Sequence, residues 1–542
     1  MRSYLQMSRA CLLLASVILC AWSLGAQTSP VRPRVTPPVD VHNLVTLPGN
    51  VHPWARPEND QGVAPDDLPM ERMLLVLQRS QDQETSLRQL LDQQQVKSSP
   101  VFHQWLTPVE FGQQFGPADA DIQAVTDWLA SQGFTVKKVA TGRTVIEFSG
   151  SAGLVRQALG TEIHKFRVQG QAYWANTSDP QIPAALAPVV AGFASLYNFP
   201  RQTPKQIMNA FSRTPGTREL QPLFTVTGSN GTPYYAVGPT DFATIYNVLP
   251  LWNAGVDGTG QTIAVAGDSN INISDVEDFR SMFGLPANDP QIIVDGPTPG
   301  INEDETEAVT DVEWAGAVAK GATIDLVLSE TTETTWGIDL SALYIIDNDL
   351  APIMSVSYGE CEQMAGAGGN AFYYATREQG AAQGITIING AGDNGSAACD
   401  QTVSGVAAQN GLAVNALAST PFDVAVGGTD FGDVNDWSQY WSSTNNSSTL
   451  ASALSYIPET VWNASCAASG KPSSCANAAT DTPAGIDKVA GGGGPSTCAS
   501  RALRWAARTL RILGKRRRAA AAWHSEATAG SPRPLSPSPR AR

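Results

Sequence analysis

The chain has 542 residues and a formal net charge of −15, from 35 basic and 50 acidic side chains. That charge is unevenly laid out: residues 1–250 hold 19 bases and 18 acids, residues 251–500 hold 5 and 31, and residues 501–542 hold 11 and 1. The five histidines are His42, His52, His103, His164 and His524, so no Ser-His-Asp or Cys-His centre, His-ligated zinc or haem histidine can be built within residues 165–523. The acidic middle repels phosphate, which argues against nucleic acid as a partner.

Residues 1–26 read as a secretory signal: Arg2 and Arg9, an apolar run from Cys11 to Leu24, then Gly25 and Ala26. The run is too short to span a bilayer. The expectation is a secreted protein, extracellular or periplasmic, without membrane contact once the signal is removed. Export permits disulfides. Of the five cysteines beyond the signal, Cys361 can pair with Cys399 and Cys466 with Cys475, which leaves Cys498 odd.

Residues 27–69 are rich in proline and polar residues and read as a linker. Residues 70–196 form a small α+β pattern. Met73 to Leu77 is an apolar, strand-like run. Helical spacing follows over Gln83–Gln95, through Leu87, Leu90 and Leu91, and over Ala120–Leu129, through Ile122, Val125 and Leu129. Thr135–Val139 and Thr144–Phe148 alternate as strands. Residues 197–235, with Pro200, Pro204, Pro215 and Pro222, read as a second linker, the kind of segment in which processing cleavage occurs.

Over residues 236–500 the rhythm becomes strand, helix, strand. Gln261–Ala266, Thr323–Leu328, Ile353–Ser357, Gly384–Asn389 and Asp423–Gly427 are short apolar strands. Helical stretches fall at Val276–Phe283, Glu305–Ala319 and Ala371–Gln383. This alternation predicts a parallel α/β sheet, with functional groups at the carboxyl ends of its strands. Residues 431–500 are loop-rich.

Three features could carry chemistry. The first is the carboxylate run from Glu303 to Glu313, in which a helix would set Glu307 and Asp311 one turn apart on one face. Such a pair can share a proton and do general-base work without histidine. It can equally be an acidic first turn that complements the helix dipole. The second is Asp393, between glycines at the end of an apolar strand, either a functional carboxylate or a turn residue. The third is Ser355-Val-Ser357-Tyr-Gly359, whose hydroxyls are expected to satisfy local backbone groups.

Together these residues resemble the sedolisin family of serine-carboxyl peptidases, the kumamolisin-like enzymes. Glu307-Ala-Val-Thr-Asp311 followed by a small apolar run is similar to the family's catalytic helix. Ser355–Gly359 is similar to its core strand, and Gly390-Ala-Gly-Asp393-Asn-Gly395 to its oxyanion-aspartate turn. Leu417–Pro421 with Val426–Thr429 resembles the next strand. Upstream, His103–Phe111 and Phe115-Gly-Pro117 resemble the family's activation propeptide. The resemblance runs from about residue 40 to about residue 498. It implies a subtilisin-like parallel sheet flanked by helices, preceded by a smaller ferredoxin-like α+β propeptide domain that inhibits the enzyme. It also implies a protein or peptide substrate. By that resemblance a serine attacks the peptide carbonyl, Glu307 accepts its proton, Asp311 orients Glu307, and a protonated Asp393 donates to the oxyanion at acidic pH.

The family's nucleophile run, Ser-Gly-Thr-Ser-x-x-x-Pro, does not occur in this sequence, nor does the calcium site that follows it in the family. Ser496 follows Gly491–Pro495, which resembles the segment ahead of the nucleophile region. The expectation is a peptidase domain incomplete at its C-terminal side, inactive as written, without a cofactor in this chain. An exported non-catalytic protein that binds peptides is the alternative. The tail 501–542 sets Arg501, Arg504, Arg508, Arg511 and Lys515 at helical spacing, as in a basic amphipathic helix. The reading preferred here is an unstructured or frame-shifted segment.

Overall fold

The computed structural model describes residues 31–463, except 169, 200, 202–210, 214–219, 223–224, 228–232, 236, 401–409 and 434–435, together with residues 490–493 and 496. The expected signal, the Cys466–Cys475 pair, Cys498 and the basic tail lie outside the described residues.

The N-terminal unit is built on a four-stranded antiparallel sheet. Its strands are β3 (Pro69–Leu77), β4 (Thr135–Val139), β5 (Val145–Ser151) and β9 (Val190–Phe193), in the spatial order β4-β5-β3-β9. Helix α3 (Asp119–Ser131) connects toward β4 and α4 (Ala152–Leu159) follows β5, giving the βαββαβ order of a ferredoxin-like unit. Helices α1 (Gln81–Gln94) and α2 (Pro108–Phe115) are inserted after β3, and both begin with capping boxes, at Ser80–Gln83 and Thr107–Glu110. A second sheet joins β2 (Asp60–Val63), β6 (Ile163–Val168) and β7 (Gln171–Asn176). A third pairs β1 (Leu44–Thr46) with β8 (Gln181–Pro183).

The stretch read as a linker over 27–69 thus carries β1 and β2 in its described part. Leu47 and Ala64 enter the hydrophobic core, and Val35, Val39 and Val45 pack against it. Buried Asp121 accepts the backbone N–H groups of Arg34 and Val35. Segments of three or four residues between prolines are too short to show a period. Beyond β9, Tyr197, Phe199 and Arg201 are buried. The second linker region contributes the backbone hairpins β10 (Phe211–Arg213) with β11 (Leu220–Pro222), and β12 (Thr225–Thr227) with β13 (Pro233–Tyr235).

The C-terminal unit opens with the short helices α5 (Pro239–Ile245) and α6 (Leu249–Asn253) and is organised by a six-stranded sheet. Its strands are β14 (Thr262–Gly267), β15 (Gln291–Val294), β16 (Thr323–Leu328), β17 (Ile353–Val356), β18 (Thr386–Gly390) and β19 (Val424–Val426). All pairings are parallel, in the order β15-β16-β14-β17-β18-β19, the α/β sheet expected of a subtilisin-like fold. The reversal of strand order beside β14 opens the crevice where such sheets carry function.

Both faces are covered, which is why the strands are apolar throughout. Val265, Leu326 and Leu328 pack with Val276 of α7 (Ile273–Met282) and with Ala308 and Val312 of α8 (Glu305–Val318). On the other face, Ala264, Ala266 and Val327 meet α9 (Gly337–Asp347) and α10 (Glu362–Ala382). Almost every residue of α9 is buried, so it has no polar stripe to reveal its period. A short antiparallel pair, β20 (Thr429–Phe431) with β21 (Glu459–Val461), lies in the region expected to be loops.

The two units share a core. Along β3, Met73, Leu75 and Leu77 point into the N-terminal unit's own core, while Leu74 and Val76 join the cluster containing Ile346 of α9 and Tyr373 of α10. The unbroken apolar run Met73–Leu77 is therefore a strand buried on both faces. Polar contacts seal the junction: Asp347, at the end of α9, accepts the N–H groups of Thr141 and Gly142, each at 2.8 Å.

Candidate functional site

Glu307 lies in the first turn of α8 and Asp311 one turn further on, as the spacing predicted. Asp304 holds the N-cap position, its backbone carbonyl accepting the N–H groups of Glu307 and Ala308, each at 3.1 Å. Val312 and Ala308 face the sheet, so the carboxylates are turned toward the strand ends. Ser357 follows β17 directly, and its hydroxyl donates to Asp311 Oδ1 at 2.7 Å. The hydroxyl expected to serve local backbone thus links a strand end to the carboxylate pair. Asp311 Oδ2 is buried without a hydrogen-bond partner among the described residues.

Asp393 stands in the turn after β18, the strand next to β17. Gly392 and Gly395 flank it at φ +97° and +55°, a backbone region that favours glycine. Residues 490–493 run alongside: Ala490 N–H donates to Asp393 O at 2.8 Å and Gly492 N–H to Gly392 O at 2.6 Å. A Cβ on Gly492 would sit 1.9 Å from Ala391 O, so only glycine fits this approach. The Gly-rich run Gly491–Gly493 is therefore seated against the Asp393 turn.

Burial, then the charges of Asp311, Asp393 and Asp304, push the Glu307 carboxyl up to about 8, against a smaller opposing effect of the Ser357 hydrogen bond. Asp311 is pushed up to about 6 by burial, again opposed by Ser357. Burial also raises Asp393. Among the described residues no Lys, Arg or His is an ion-pair partner of these three groups. An acidic first turn that merely complements the dipole would hold its charge readily, whereas Glu307 resists ionisation. Glu313 is pushed up to about 8 by burial and by Asp275 of α7, so it belongs to the α7 side of the helix.

Several supporting residues carry no motif. Asn415 Nδ2 donates to Tyr358 O at 3.1 Å and to Gly390 O at 2.8 Å, and its Oδ1 accepts Glu360 N–H at 3.1 Å. One amide thereby ties the ends of β17 and β18 in the relation that brings Ser357 toward Asp393. Tyr358 donates to Asp268, at the end of β14, at 2.9 Å. Burial and Asp304 raise Asp268 to about 6. The predicted Cys361–Cys399 disulfide is formed and pins the loop after Asp393 to the start of α10. The four histidines before residue 165 belong to the N-terminal unit. His52, for example, is buried on Phe199, and burial followed by the charges of Arg201 and Arg56 lowers it to about 3.

Among the described residues no group of three or more His, Cys, Asp or Glu side chains is placed to hold a metal ion. No helix among them is long and apolar enough to cross a membrane.

Residues 58–199 match the family described as pro-kumamolisin, activation domain. Sedolisin of Pseudomonas sp. (strain 101) is 28% identical over 399 residues, which cover 72% of this chain and 62% of that protein. Xanthomonalisin of Xanthomonas sp. (strain T-22) is 26% identical, over 67% of this chain and 44% of that protein. Kumamolisin of Bacillus sp. (strain MN-32) is 27% identical, over 65% of this chain and 58% of that protein. The matched activation domain thus precedes a part similar to the serine-carboxyl peptidases of the sedolisin type, the peptidase part below. The chain spans about three-fifths of the length of sedolisin, the first of these relatives.

Proposed function

We propose that this chain is the precursor of a secreted serine-type endopeptidase acting on proteins at acidic pH through a Ser-Glu-Asp mechanism, and that the 542-residue sequence is itself inactive for want of the nucleophile run. The observation that carries the reading is that Glu307 and Asp311 of α8 and Asp393 after β18 interact without an ion-paired cation among the described residues, with Ser357 at the end of β17 hydrogen-bonded to Asp311. Two interacting carboxyls titrate as a pair. Between about 6 and about 8 this pair holds one proton, and in that state it can accept a hydroxyl proton. Asp393 can donate to an oxyanion only while neutral, which its raised pKa favours in acid. Both requirements point to a mildly acidic optimum. Activity falls as rising pH ionises Asp393, and falls in strong acid as the pair takes its second proton. The leader acts as inhibitor by docking its sheet on α9 and α10.

The test begins with the encoding DNA, read in its other two frames beyond codon 498. A Ser-Gly-Thr-Ser-x-x-x-Pro run found there, expressed in continuity with residues 1–498, is expected to give hydrolysis of denatured haemoglobin in acid that Glu307→Gln abolishes. A completed chain that stays inert across the acidic range would overturn the peptidase reading. Turnover by the 542-residue chain that is lost in Glu307→Gln would overturn its inactivity.

A further inference from the structure

Arg201, just past the matched activation domain, is one of the most completely buried cations in the structure, its side chain 1% exposed. Its Nη1 lies 2.5 Å from Asp339 Oδ1 and its Nη2 3.3 Å from Glu360 Oε2. The guanidinium carbon is 5.7 Å from the ring centroids of both Trp336 and Tyr373. Tyr373 donates to Asp339 Oδ1 at 3.2 Å and to Glu360 Oε2 at 3.4 Å, while Tyr197 donates to Glu360 Oε1 at 2.8 Å. A planar cation is thus held between two aromatic rings and two carboxylates, which suits the fork of arginine better than the point charge of lysine.

Apart from Tyr197, the walls of this box belong to the peptidase part. Trp336 and Asp339 open α9, Tyr373 lies on α10, and Glu360 stands in the turn after β17, three residues beyond Ser357. The box therefore shares a strand end with the carboxylate pair. Tyr358, between Ser357 and Glu360, donates to Asp268, whose Cβ lies 2.8 Å from where a Cβ on Gly337 would sit. The occupant and the Tyr197 wall come from the leader. The occupant also sits where the chain enters the segment expected to carry the processing site, so this stretch lies on the peptidase part as a substrate would. Removing the leader would take away the cation that bridges Asp339 and Glu360, leaving the more distant Arg377, which acts on Asp339 but forms no ion pair with either carboxylate among the described residues, a costly arrangement. Burial, and to a smaller degree the charge of Asp339, already raise Glu360, with Arg201 the main opposing influence.

We propose that this box is a subsite of the peptidase part for the arginine side chain of a bound peptide, occupied in the precursor by the leader's own Arg201. The inference rests on the peptidase reading for what the peptide is, but its test reads binding. A blocked one-residue arginine peptide, acetyl-arginine methylamide, small enough to enter the vacated box beside the retained residues 194–200, is titrated by calorimetry against the full chain carrying Arg201→Ala, beside its citrulline counterpart, the neutral isostere. The arginine peptide is expected to bind at least about tenfold more tightly than the citrulline peptide. That preference is expected to vanish when Asp339→Asn and Glu360→Gln are added. The unsubstituted chain, its box filled, is expected to bind the arginine peptide more weakly than the variant. Should Arg201→Ala fail to fold, Arg201→Met keeps the apolar stem between the rings and serves in its place. Equal affinity for the two peptides, or equal affinity of the filled and vacated chains, would overturn the proposal. Loss of the arginine preference with hydrolysis intact in a completed chain sinks the subsite alone. Loss of hydrolysis with the preference intact sinks the peptidase reading alone.

Discussion

The activation domain and the peptidase part treat buried carboxylates in opposite ways. In the former and along its junction, acids are matched with cations. Arg72 reaches Glu147 at 2.8 Å and Asp295 at 2.7 Å, and Arg79 joins Glu84 at 3.0 Å and the fully buried Glu378. At the strand ends of the peptidase part, Glu307, Asp311 and Asp393 have one another and a serine hydroxyl instead. A matched carboxylate has a cation that offsets the cost of its charge, and the pair holds a structure in place. An unmatched cluster raises the cost of its own charge and keeps protons that it can exchange, which is what proton-transfer chemistry needs. The difference separates structural acids from candidate functional ones even within a chain this acidic.

Three perturbations would break or sharpen that contrast. The largest effect is expected for Arg79→Met, which strands Glu378 in the junction. It should cost about 3 kcal/mol of unfolding free energy above the Glu378 value of about 7, measured by denaturant titration. Much less should be lost well below that pH, where burial already keeps Glu378 neutral. A cost independent of pH would mean that the pairing is not electrostatic.

The opposite sign is expected for Glu307→Gln. A carboxyl raised in the fold contributes stability that is fully present below its ordinary value and is lost as pH rises through about 8. The amide avoids that loss. The variant should be more stable than the parent above about 8 by about 2 kcal/mol, roughly half of the full shift because the site is partly hydrated. It should gain nothing in acid. Destabilisation at high pH would show that Glu307 is a structural acid like those of the activation domain.

The smallest effect belongs to Ser357→Ala. The hydroxyl favours the ionised form of Asp311, so its loss should move the Asp311 titration midpoint upward from about 6, followed by carboxyl-carbon NMR. The accompanying loss of stability at neutral pH should be about 1.5 kcal/mol, the low end for a single hydrogen bond to a charged group. A midpoint that stays put would remove Ser357 from the site.

Much of this architecture was legible because periods and strand ends are local properties. The spacing of Glu307 and Asp311 set them on one helix face, and the glycines around Asp393 marked a strand-end turn. Regions read as linkers were harder. Leu47 and Ala64 enter a core from short segments between prolines, and α9 is apolar on every side, so neither shows a period. The resemblance carried the three carboxylates but gave no hint of Ser357 as a partner of Asp311, of Asn415 tying two strand ends, or of Asp268 under Tyr358. Each of those contacts joins residues far apart in the chain through side chains common in loops.

The order of residues was enough, by itself, to determine the two-unit organisation, the parallel sheet and the exclusion of histidine chemistry from its acidic part. These follow from composition and from periods of two and about four residues. Only the tertiary structure decided which of the many carboxylates lack a cation and which aromatic rings close around Arg201. Charge and burial act through space, and the partners that raise or quench a group come from strands and helices hundreds of residues apart.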